Sequence, residues 1–224
     1  MKILITSGHT IEKIDSVRHI ANLSTGRLGA EIADCFAGHD DVSEICYVCN
    51  EGAAKPSANV RVRHVCGIAD LDSVISEEIS GGGFDAVIHA MAVSDYSVKG
   101  VGSLADLMIG DGFEKNSGKI PSDIESLLVL LTPTPKIIAK YRRLGFDGVL
   151  VGFKLLDCAS EDELVERAYD LLQKNGCNFV LANNQQNLSI EGHVGYLVAP
   201  DKSYQKFESK AAIAQGIVGA VIAT

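Results

Sequence analysis

The sequence lacks an excess of basic residues, because 20 lysines and arginines stand against 29 aspartates and glutamates, for a formal net charge of −9. An acidic protein repels phosphate backbones and anionic lipid headgroups, so this balance argues against a nucleic-acid or membrane partner. The apolar segment 210–223 is also too short to cross a bilayer. A locally basic pocket for a small anion stays compatible with the composition.

Several patterns that indicate particular chemistries are also missing. No GxGxxG fingerprint follows the first apolar run, which disfavours an NAD-dependent reductase. The sequence has no Ser-His-Asp spacing and no paired carboxylates at one predicted site. Among six cysteines only Cys46 and Cys49 have CxxC spacing, and strand alternation would place them on opposite faces, which is poor geometry for a metal site. Because no signal peptide precedes the first strand and most cysteines lie in apolar segments, we expect a cytoplasmic protein.

Short apolar strands alternate with amphipathic helices, which predicts a doubly wound, Rossmann-like, mostly parallel α/β sheet. The length fits one domain, 1–224, with one sizeable excursion. We expect that excursion to be an irregular flap or dimerisation arm at 97–124, and we expect a loop at the Asn- and Gln-rich run 183–187. The predicted strands cover 2–6, 44–49, 60–65, 85–92, 126–131, 148–153, 179–182 and 195–199, and the predicted helices cover 26–36, 68–79, 136–143, 160–174 (with Ser160 as N-cap) and 210–223.

The stretch 18–29 follows the first strand and is unusually rich in polar groups. It supplies two glycines, two hydroxyls, an amide and two guanidinium groups. Glycine lets the backbone approach a ligand closely, and the N–H groups that open a helix favour an anion. The stretch therefore fits a phosphate cradle with one reactive-centre amide, Asn22. An ordinary βα loop with a Ser or Thr N-cap before Gly26 explains the same residues, and both alternatives stay open at this point.

Other candidate residues follow the ends of predicted parallel strands, where open α/β sheets bind ligands. These residues are Gly8, Asp95, Pro135, Phe153 and Asn183. Lys119, in the excursion, would suit a phosphate as a flexible point charge. Each has an ordinary alternative, such as a turn aspartate, a surface lysine or a core phenylalanine. The residues alone predict a phosphate- or nucleotide-binding α/β domain and favour an enzyme.

Six groups of residues occur in an order that is typical of one enzyme family. They are IDSVR with NLSTG at 14–18 and 22–26, MAVSDY at 91–96, KIPS at 119–122, TPKII at 134–138, VGFKLL at 151–156 and AN at 182–183. Over nearly its whole length the chain resembles the phosphopantothenoylcysteine synthetases, the ligases of coenzyme A biosynthesis, and in particular their stand-alone bacterial form.

The resemblance implies a two-step reaction. The carboxylate of 4′-phosphopantothenate attacks the α-phosphate of a nucleoside triphosphate, which releases pyrophosphate and leaves an acyl-nucleotidylate. The amine of L-cysteine then attacks the activated carbonyl and expels the nucleoside monophosphate. Bacterial members of the family generally use CTP and eukaryotic members ATP, with Mg²⁺ on the triphosphate. The family is homodimeric with an arm exchanged between protomers, which suits the excursion at 97–124.

The resemblance also implies roles for individual residues. Asn22 would engage the activated acyl group and Lys119 the triphosphate, and these two are the catalytic candidates. The nucleotide-binding candidates are Gly8, Ser24, Thr25, Gly26, Ala92, Asp95, Lys119, Ser122, Pro135, Lys136, Ile137, Ile138, Phe153 and Lys174, and the substrate-binding candidates are Arg18, Asn22, Ala182 and Asn183. No residue is predicted to bind a metal directly.

Several positions depart from the family pattern. Leu23 replaces a common histidine, His9 a common glycine and Asn184 a usual aspartate, and Pro121 interrupts the flap motif. Leu171 and Asn175 stand where the bifunctional bacterial enzymes carry lysines that help to hold the nucleotide, and Lys174 is our candidate for the replacement cation. These departures keep two alternatives open: the same reaction with ATP, and a non-catalytic regulatory homologue that binds nucleotide or phosphopantothenate.

Overall fold

A computed structural model describes residues 1–109, 118–157, 160–188 and 193–224. Short strands and helices alternate along these residues, as the apolar runs predict. The strands are β1 (Lys2–Ser7), β2 (Ile11–Lys13), β3 (His19–Ala21), β4 (Glu44–Cys49), β5 (Arg61–His64), β6 (Ala86–His89), β7 (Tyr96–Ser103), β8 (Leu127–Pro133), β9 (Val149–Leu156), β10 (Phe179–Leu188), β11 (His193–Val198) and β12 (Tyr204–Phe207). The helices are α1 (Arg27–Ala37), α2 (Ile68–Gly81), α3 (Leu104–Ile109), α4 (Ile138–Arg143), α5 (Glu161–Asn175) and α6 (Lys210–Ile222).

Eight strands form one sheet in the order β12-β11-β10-β9-β6-β1-β4-β5. The strands from β10 to β5 are all parallel to their neighbours, and β11 and β12 add an antiparallel edge. The chain builds outward from β1 on one side through β4 and β5, then returns to build the other side from β6. This confirms the doubly wound, mostly parallel sheet. The reversal of strand order lies between β1 and β6, where such sheets open a ligand crevice at the carboxyl ends of the strands.

Helices cover both faces of the sheet, so the parallel strands are buried on both sides. One core layer packs α2, α4 and α5 against side chains such as Leu4 and Leu150. The other packs α1 and α6 against Ile5 and Val151. Burial on both faces is why these strands are continuous apolar runs in the sequence. None of the helices within the described residues is both long enough and apolar enough to cross a membrane.

The two cysteines with CxxC spacing point to opposite faces of β4, as predicted. Cys46 belongs to the core layer under α2 and Cys49 to the layer under α1. Burial raises the pKa of the Cys46 thiol to about 12, so it stays protonated at neutral pH. The pair cannot chelate one ion, and we interpret both as core residues.

The excursion at 97–124 is more regular than predicted. Strand β7 and helix α3 lie within it, and β7 pairs antiparallel with β8 in a separate two-stranded sheet. Residues 110–117 of the predicted arm lie outside the described residues. The glycines at 100 and 102 suggested a loop, but a partner strand that is distant in sequence supplies the hydrogen bonds which local propensity does not predict.

The predicted loop at 183–187 is wrong, because β10 continues to Leu188. Asn183 pairs with Leu155 of β9 on one side and with Gly195 of β11 on the other. Pairing on both sides outweighs the turn propensity of asparagine. The N-cap of α5 is confirmed, since the Ser160 side chain accepts a hydrogen bond from the Glu163 N–H at 3.2 Å. The short strands β2, β3 and β12 were not predicted.

Candidate functional site

We call the region beyond the carboxyl ends of β1 and β6, at the switch point of the sheet, the crevice. Their pairing continues beyond the strands, because the Ala92 N–H donates to the Gly8 carbonyl at 2.9 Å and the Thr10 N–H donates to the Ala92 carbonyl at 3.3 Å. Two predicted nucleotide-binding residues, Gly8 and Ala92, are therefore side by side at the switch point of the sheet. This is the position at which backbone groups of an α/β sheet meet a ligand.

Gly8 cannot carry a side chain in this conformation. Its φ is +80°, and an added Cβ would overlap Oδ1 of Asn50 and lie 2.7 Å from Cβ of Ala53. Asn50 is 2 % exposed, and its Oδ1 accepts the N–H of His9 at 3.0 Å. The backbone at Gly8 and His9 is thus held against the buried Asn50 side chain, and this contact keeps the turn after β1 close to the crevice.

Helix α1 begins at the same place. Its N-cap is Gly26, with φ 75°, so the alternative of a Ser or Thr N-cap before Gly26 is wrong. The Ser7 hydroxyl donates to the Gly26 carbonyl at 3.0 Å, and the Ala54 N–H donates to the Thr25 carbonyl at 2.9 Å. No side chain caps α1 at this end, so its first N–H groups suit an anion in the crevice.

Asn22 reaches the crevice from the hairpin β2–β3. Its side-chain NH₂ donates to the carbonyls of Ala92 and Val93, at 3.3 Å each. Both bonds are at the long end of the normal range, so a better acceptor could displace them. The side chain of Glu12 in β2 anchors the hairpin by accepting the N–H of Ile68 at 3.0 Å. Asn22 is exposed and lies above the switch point, where it can donate to a bound group.

The turn between β8 and α4 meets the end of β6. The Thr134 N–H donates to the Asp95 carbonyl at 3.0 Å, and the Thr134 hydroxyl donates to the Ser94 carbonyl at 2.6 Å. Lys136 forms an ion pair with Asp95, with both side chains more than half exposed. The structure therefore brings together Asp95 with Pro135 and Lys136. Ile137 and Ile138 turn away from solvent and pack into the core.

Phe153, Ala182 and Asn183 lie on the neighbouring strands β9 and β10. Phe153 packs in the layer of α1 and α6. Asn183 faces the same side of the sheet, because its Oδ1 and Ile213 of α6 both lie 2.9 Å from the position that a Cβ on Gly195 would take. Ala182 faces the opposite layer. Asn183 is 8 % exposed and its Oδ1 has no partner among the described residues. A buried unpartnered acceptor fits a ligand that donates a hydrogen bond.

Lys119 and Ser122 are exposed and flank the buried Ile120. Ile120 is held by Arg18, whose Nη2 donates to its carbonyl at 2.7 Å. The residue pair 119–120 therefore lies against the turn that leads into β3 and Asn22. Arg18 is predicted to bind substrate, but its Nη2 group makes this contact within the chain.

The structure separates Lys174 from the other candidates. It lies near the end of α5, one residue before Asn175 and shortly before β10 begins, which is the amino edge of the sheet. The crevice is at the carboxyl edge, so we correct the prediction that Lys174 joins the nucleotide site of its own chain. Leu171 lies beneath Gly152 in the core, and Asn175 donates back to the Leu171 carbonyl at 2.9 Å. These two departures therefore do not touch the crevice.

A buried histidine joins β1 and β6 just below the crevice. Nδ1 of His89 lies 3.0 Å from the Thr6 hydroxyl and 3.0 Å from the Tyr141 hydroxyl, and the His89 and Tyr141 rings meet edge to face. Burial lowers the pKa of His89 to about 4, so the ring is neutral at pH 7. A neutral ring bound to two hydroxyls supports the strand ends without placing a charge below the site.

We expect this histidine to make stability depend on pH. Unfolded His89 takes up a proton near its ordinary pKa of 6.5, whereas the folded ring resists it until about pH 4. The free energy of unfolding should therefore fall by up to about 3 kcal/mol between pH 6.5 and 4 on account of this group. Urea unfolding of His89→Gln at several pH values measures the effect. The variant should lose that part of the slope and run parallel to the wild type above pH 7, and an unchanged slope would contradict the assignment.

Three residues around the crevice make side-chain contacts that the sequence did not predict, although His9 and Thr10 belong to the stretch 7–10 that follows the first predicted strand and was expected to offer backbone donors to a ligand. The Thr10 hydroxyl accepts the N–H of Ser94 at 2.8 Å. Nδ1 of His9 lies 2.7 Å from the Ser24 carbonyl, and Asn50 accepts the N–H of His9. Asn50 directly follows β4, so the rule of polar residues at strand ends could have found it. His9 and Thr10 lie in the short connection between β1 and β2, where no local pattern predicts their contacts with Ser24 and Ser94. Among the described residues, no three His, Cys, Asp or Glu side chains are grouped as metal ligands.

Comparisons with known proteins connect this chain to one family. The model of the DNA/pantothenate metabolism flavoprotein C-terminal domain matches residues 1–224. The chain is 32% identical over 202 residues to the coenzyme A biosynthesis bifunctional protein CoaBC of Thermococcus kodakarensis, covering 89% of this chain but only 45% of that protein. The chain thus spans less than half the length of this relative.

Solved structures agree with the fold. The crystal structure of the DNA/pantothenate metabolism flavoprotein from Streptococcus pneumoniae superposes with a TM-score of 0.89 at 32% identity, covering 100% of this chain and 99% of that one. A Cab2 variant in complex with phosphopantothenate-cysteine has a TM-score of 0.72 at 20% identity over 99% of this chain and 85% of that one, a likeness of fold alone. Because a family model matches the whole chain, the protein belongs to the family of the DNA/pantothenate metabolism flavoprotein C-terminal domain.

Proposed function

We propose that this chain is a phosphopantothenate–cysteine ligase that consumes CTP and releases CMP and pyrophosphate. One observation carries the proposal: the Asn22 amide lies over the point where Gly8, Ala92 and the uncapped N-terminus of α1 meet. That arrangement offers backbone N–H groups for a phosphate and one exposed amide for an acyl group. The name of the Thermococcus relative places that protein in coenzyme A biosynthesis, which is consistent with this chemistry.

In the proposed complex the triphosphate lies against the N-terminus of α1 and the backbone of Gly8 and Gly26, where the helix dipole favours negative charge. Lys119 adds a cation from the other side of the crevice. Mg²⁺ arrives bound to the triphosphate, as part of the substrate. Asn183 offers its buried Oδ1 to a hydrogen-bond donor of the phosphopantothenate substrate, on the side of the sheet where Phe153 also lies.

The proposed reaction has two steps. A carboxylate oxygen of 4′-phosphopantothenate attacks the α-phosphorus of CTP, the bond to the β-phosphate oxygen breaks, and pyrophosphate leaves. The amine of L-cysteine then attacks the acyl carbon, and negative charge collects on the carbonyl oxygen. The nitrogen loses a proton to solvent, the bond between the acyl carbon and the phosphate oxygen breaks, and CMP leaves with that electron pair as the amide forms. Asn22 donates to that oxygen when its charge develops, after one of its long bonds to Ala92 or Val93 is released.

Pyrophosphate release tests the reaction directly. The purified protein is incubated with L-cysteine and CTP, ATP or dCTP, with and without 4′-phosphopantothenate. The proposal predicts release that requires phosphopantothenate and is fastest with CTP. Faster release with ATP would change the co-substrate and keep the ligase. Binding of phosphopantothenate or nucleotide without release would support the regulatory homologue instead.

Lys119→Ala should weaken CTP binding more than it slows the chemical step. Loss of one charge-assisted bond to a phosphate is expected to raise KM for CTP by about tenfold and to change kcat by less than about threefold. Lys206→Ala is the matched control, because Lys206 is another exposed lysine, on the edge strand β12 away from the crevice. Steady-state kinetics at varied CTP measure both values. An unchanged KM for CTP in Lys119→Ala would remove this residue from the site.

We propose that the enzyme is a homodimer joined through the sheet of β7 and β8. These two strands pair only with each other within the described residues, and their surface exposes Leu130 and Leu131, at 39% each, with Tyr96 at 52%. Exposed apolar side chains on a free sheet edge favour a second copy. Sedimentation velocity is expected to give the mass of two chains, and a monomer at micromolar concentration would contradict this assembly.

A further inference from the structure

A buried carboxylate joins two segments that are far apart in the sequence. Asp15 lies in the turn between β2 and β3, and its side chain has 0% exposed surface. Its Oδ1 accepts the N–H groups of Val17 at 2.8 Å and Arg18 at 2.7 Å. Its Oδ2 accepts the N–H of Ile120, 105 residues away, at 3.2 Å.

Arg18 closes the same contact from the other side. Its Nη2 donates to the Ile120 carbonyl at 2.7 Å, and its Nε lies 3.2 Å from Oδ2 of Asp15. Both backbone polar groups of Ile120 are therefore held, and Ile120 is 2 % exposed. We call Asp15, Arg18 and Ile120 the clasp.

An ordinary turn does not require the clasp. An aspartate that accepts the N–H groups two and three residues ahead already forms a local turn, and Oδ1 of Asp15 does this alone. Oδ2 and the Arg18 guanidinium are directed instead at a distant segment. Burial raises the pKa of the Asp15 carboxyl, but the N–H groups of Val17, Ile120 and Arg18 and the Arg18 charge outweigh it, so the net pKa lies below the ordinary value. The clasp is therefore ionised at neutral pH.

The clasp lies between the two catalytic candidates. Lys119 directly precedes Ile120, and β3 begins directly after Arg18 and ends one residue before Asn22. The turn of Asp15 thus fixes the backbone that carries Lys119 relative to the hairpin that carries Asn22.

We propose that Asp15 is a positioning residue of the ligase: it holds segment 118–122 so that Lys119 meets the triphosphate beside Asn22, without touching substrate itself. The inference rests on the proposed function. In this proposal Arg18 supports Asp15, because its guanidinium group contacts both the Asp15 carboxylate and the Ile120 carbonyl.

Asp15→Asn tests the inference with minimal change in shape. The amide keeps one acceptor oxygen, so an NH₂ group must face either Ile120 or the turn, and the charge that attracts Arg18 is lost. Hydrogen exchange followed by NMR should show the Ile120 amide exchanging at least about tenfold faster, as expected for loss of a charge-assisted bond, while Ile5 in β1 stays protected. This readout does not depend on catalysis.

The kinetic readout separates positioning from mere stability. Asp15→Asn is expected to raise KM for CTP about as much as Lys119→Ala, with kcat changed less than about threefold. The double variant Asp15→Asn/Lys119→Ala should be little worse than either single variant, because a misplaced lysine has no contact left to lose. Arg18→Gln removes the other half of the clasp and should act in the same direction, which keeps the test decisive if Asp15→Asn folds poorly.

Asp34→Asn is the matched control. Its Oδ1 also accepts a distant backbone N–H, that of Ala58 at 2.8 Å, but it is not part of the clasp. It should leave both Ile120 exchange and KM for CTP unchanged. Normal exchange at Ile120 in Asp15→Asn, or effects of Asp15→Asn and Lys119→Ala that multiply in the double variant, would overturn the inference. A wild-type protein that releases no pyrophosphate would instead overturn the proposed function, while the exchange result would still decide whether Asp15 holds the segment.

Discussion

Asn22→Ala is expected to leave acyl-cytidylate formation nearly intact and to slow its conversion to the amide by about 10²–10³-fold. In the first step, charge changes on the phosphate groups, which lie against the N-terminus of α1. In the second step, charge collects on the acyl oxygen, where the Asn22 NH₂ is the proposed donor. Rapid-quench measurements should therefore show a burst of pyrophosphate equal to the enzyme concentration, followed by slow release of CMP.

Leu23→Ala is the control for this variant. Leu23 is the next residue and is fully exposed at 101%, so its truncation changes the same loop without removing a polar group. Both half-reactions should keep wild-type rates in the control. An equal loss of both half-reactions in Asn22→Ala would contradict the role of the amide as an oxyanion donor.

Gly8→Ala is expected to lower the free energy of unfolding by about 2–5 kcal/mol. A left-handed conformation is unfavourable for alanine by about 1–2 kcal/mol, and forcing a methyl group against buried Asn50 adds about 1–3 kcal/mol. Urea unfolding measures the change. The large effect follows from the need to bring the end of β1 close to both Asn50 and the start of α1.

Gly145→Ala separates the two contributions. Gly145 has a similar φ of +85°, but nothing lies within 4 Å of an added Cβ. This control should lose only the conformational part, about 1–2 kcal/mol. Equal destabilisation of the two variants would show that a methyl group at Gly8 does not collide with Asn50. It would contradict the close approach of the Gly8 backbone to Asn50 at the crevice.

The parallel core of the sheet could be predicted because its strands are buried on both faces. Runs such as ILI at 3–5 in β1 and AVI at 86–88 in β6 are continuous and apolar for that reason. The continuation of β10 through its asparagines could not be predicted, because the ladders with β9 and β11 involve residues distant in sequence. The same holds for the pairing of β7 with β8.

The candidate site shows the same division. Gly8 directly follows β1 and Asp95 follows the predicted strand 85–92, so the rule that ligands bind at the carboxyl edge was enough to identify that region. Ala92 was added by the family resemblance. Lys174 was assigned from charge and resemblance, although a helix that connects parallel strands must end at the opposite edge. The contact of Asp15 with Ile120 crosses 105 residues and has no local pattern.

The most direct test of the account follows an oxygen atom. 4′-Phosphopantothenate labelled with ¹⁸O in its carboxylate is converted with CTP and L-cysteine, and the products are analysed by mass spectrometry. If the carboxylate attacks the α-phosphorus in the crevice above Gly8 and Ala92, one ¹⁸O atom must leave in CMP. Label in inorganic phosphate, or amide product formed with no label in CMP, would contradict the acyl-nucleotidylate mechanism and the placement of the triphosphate on which it depends.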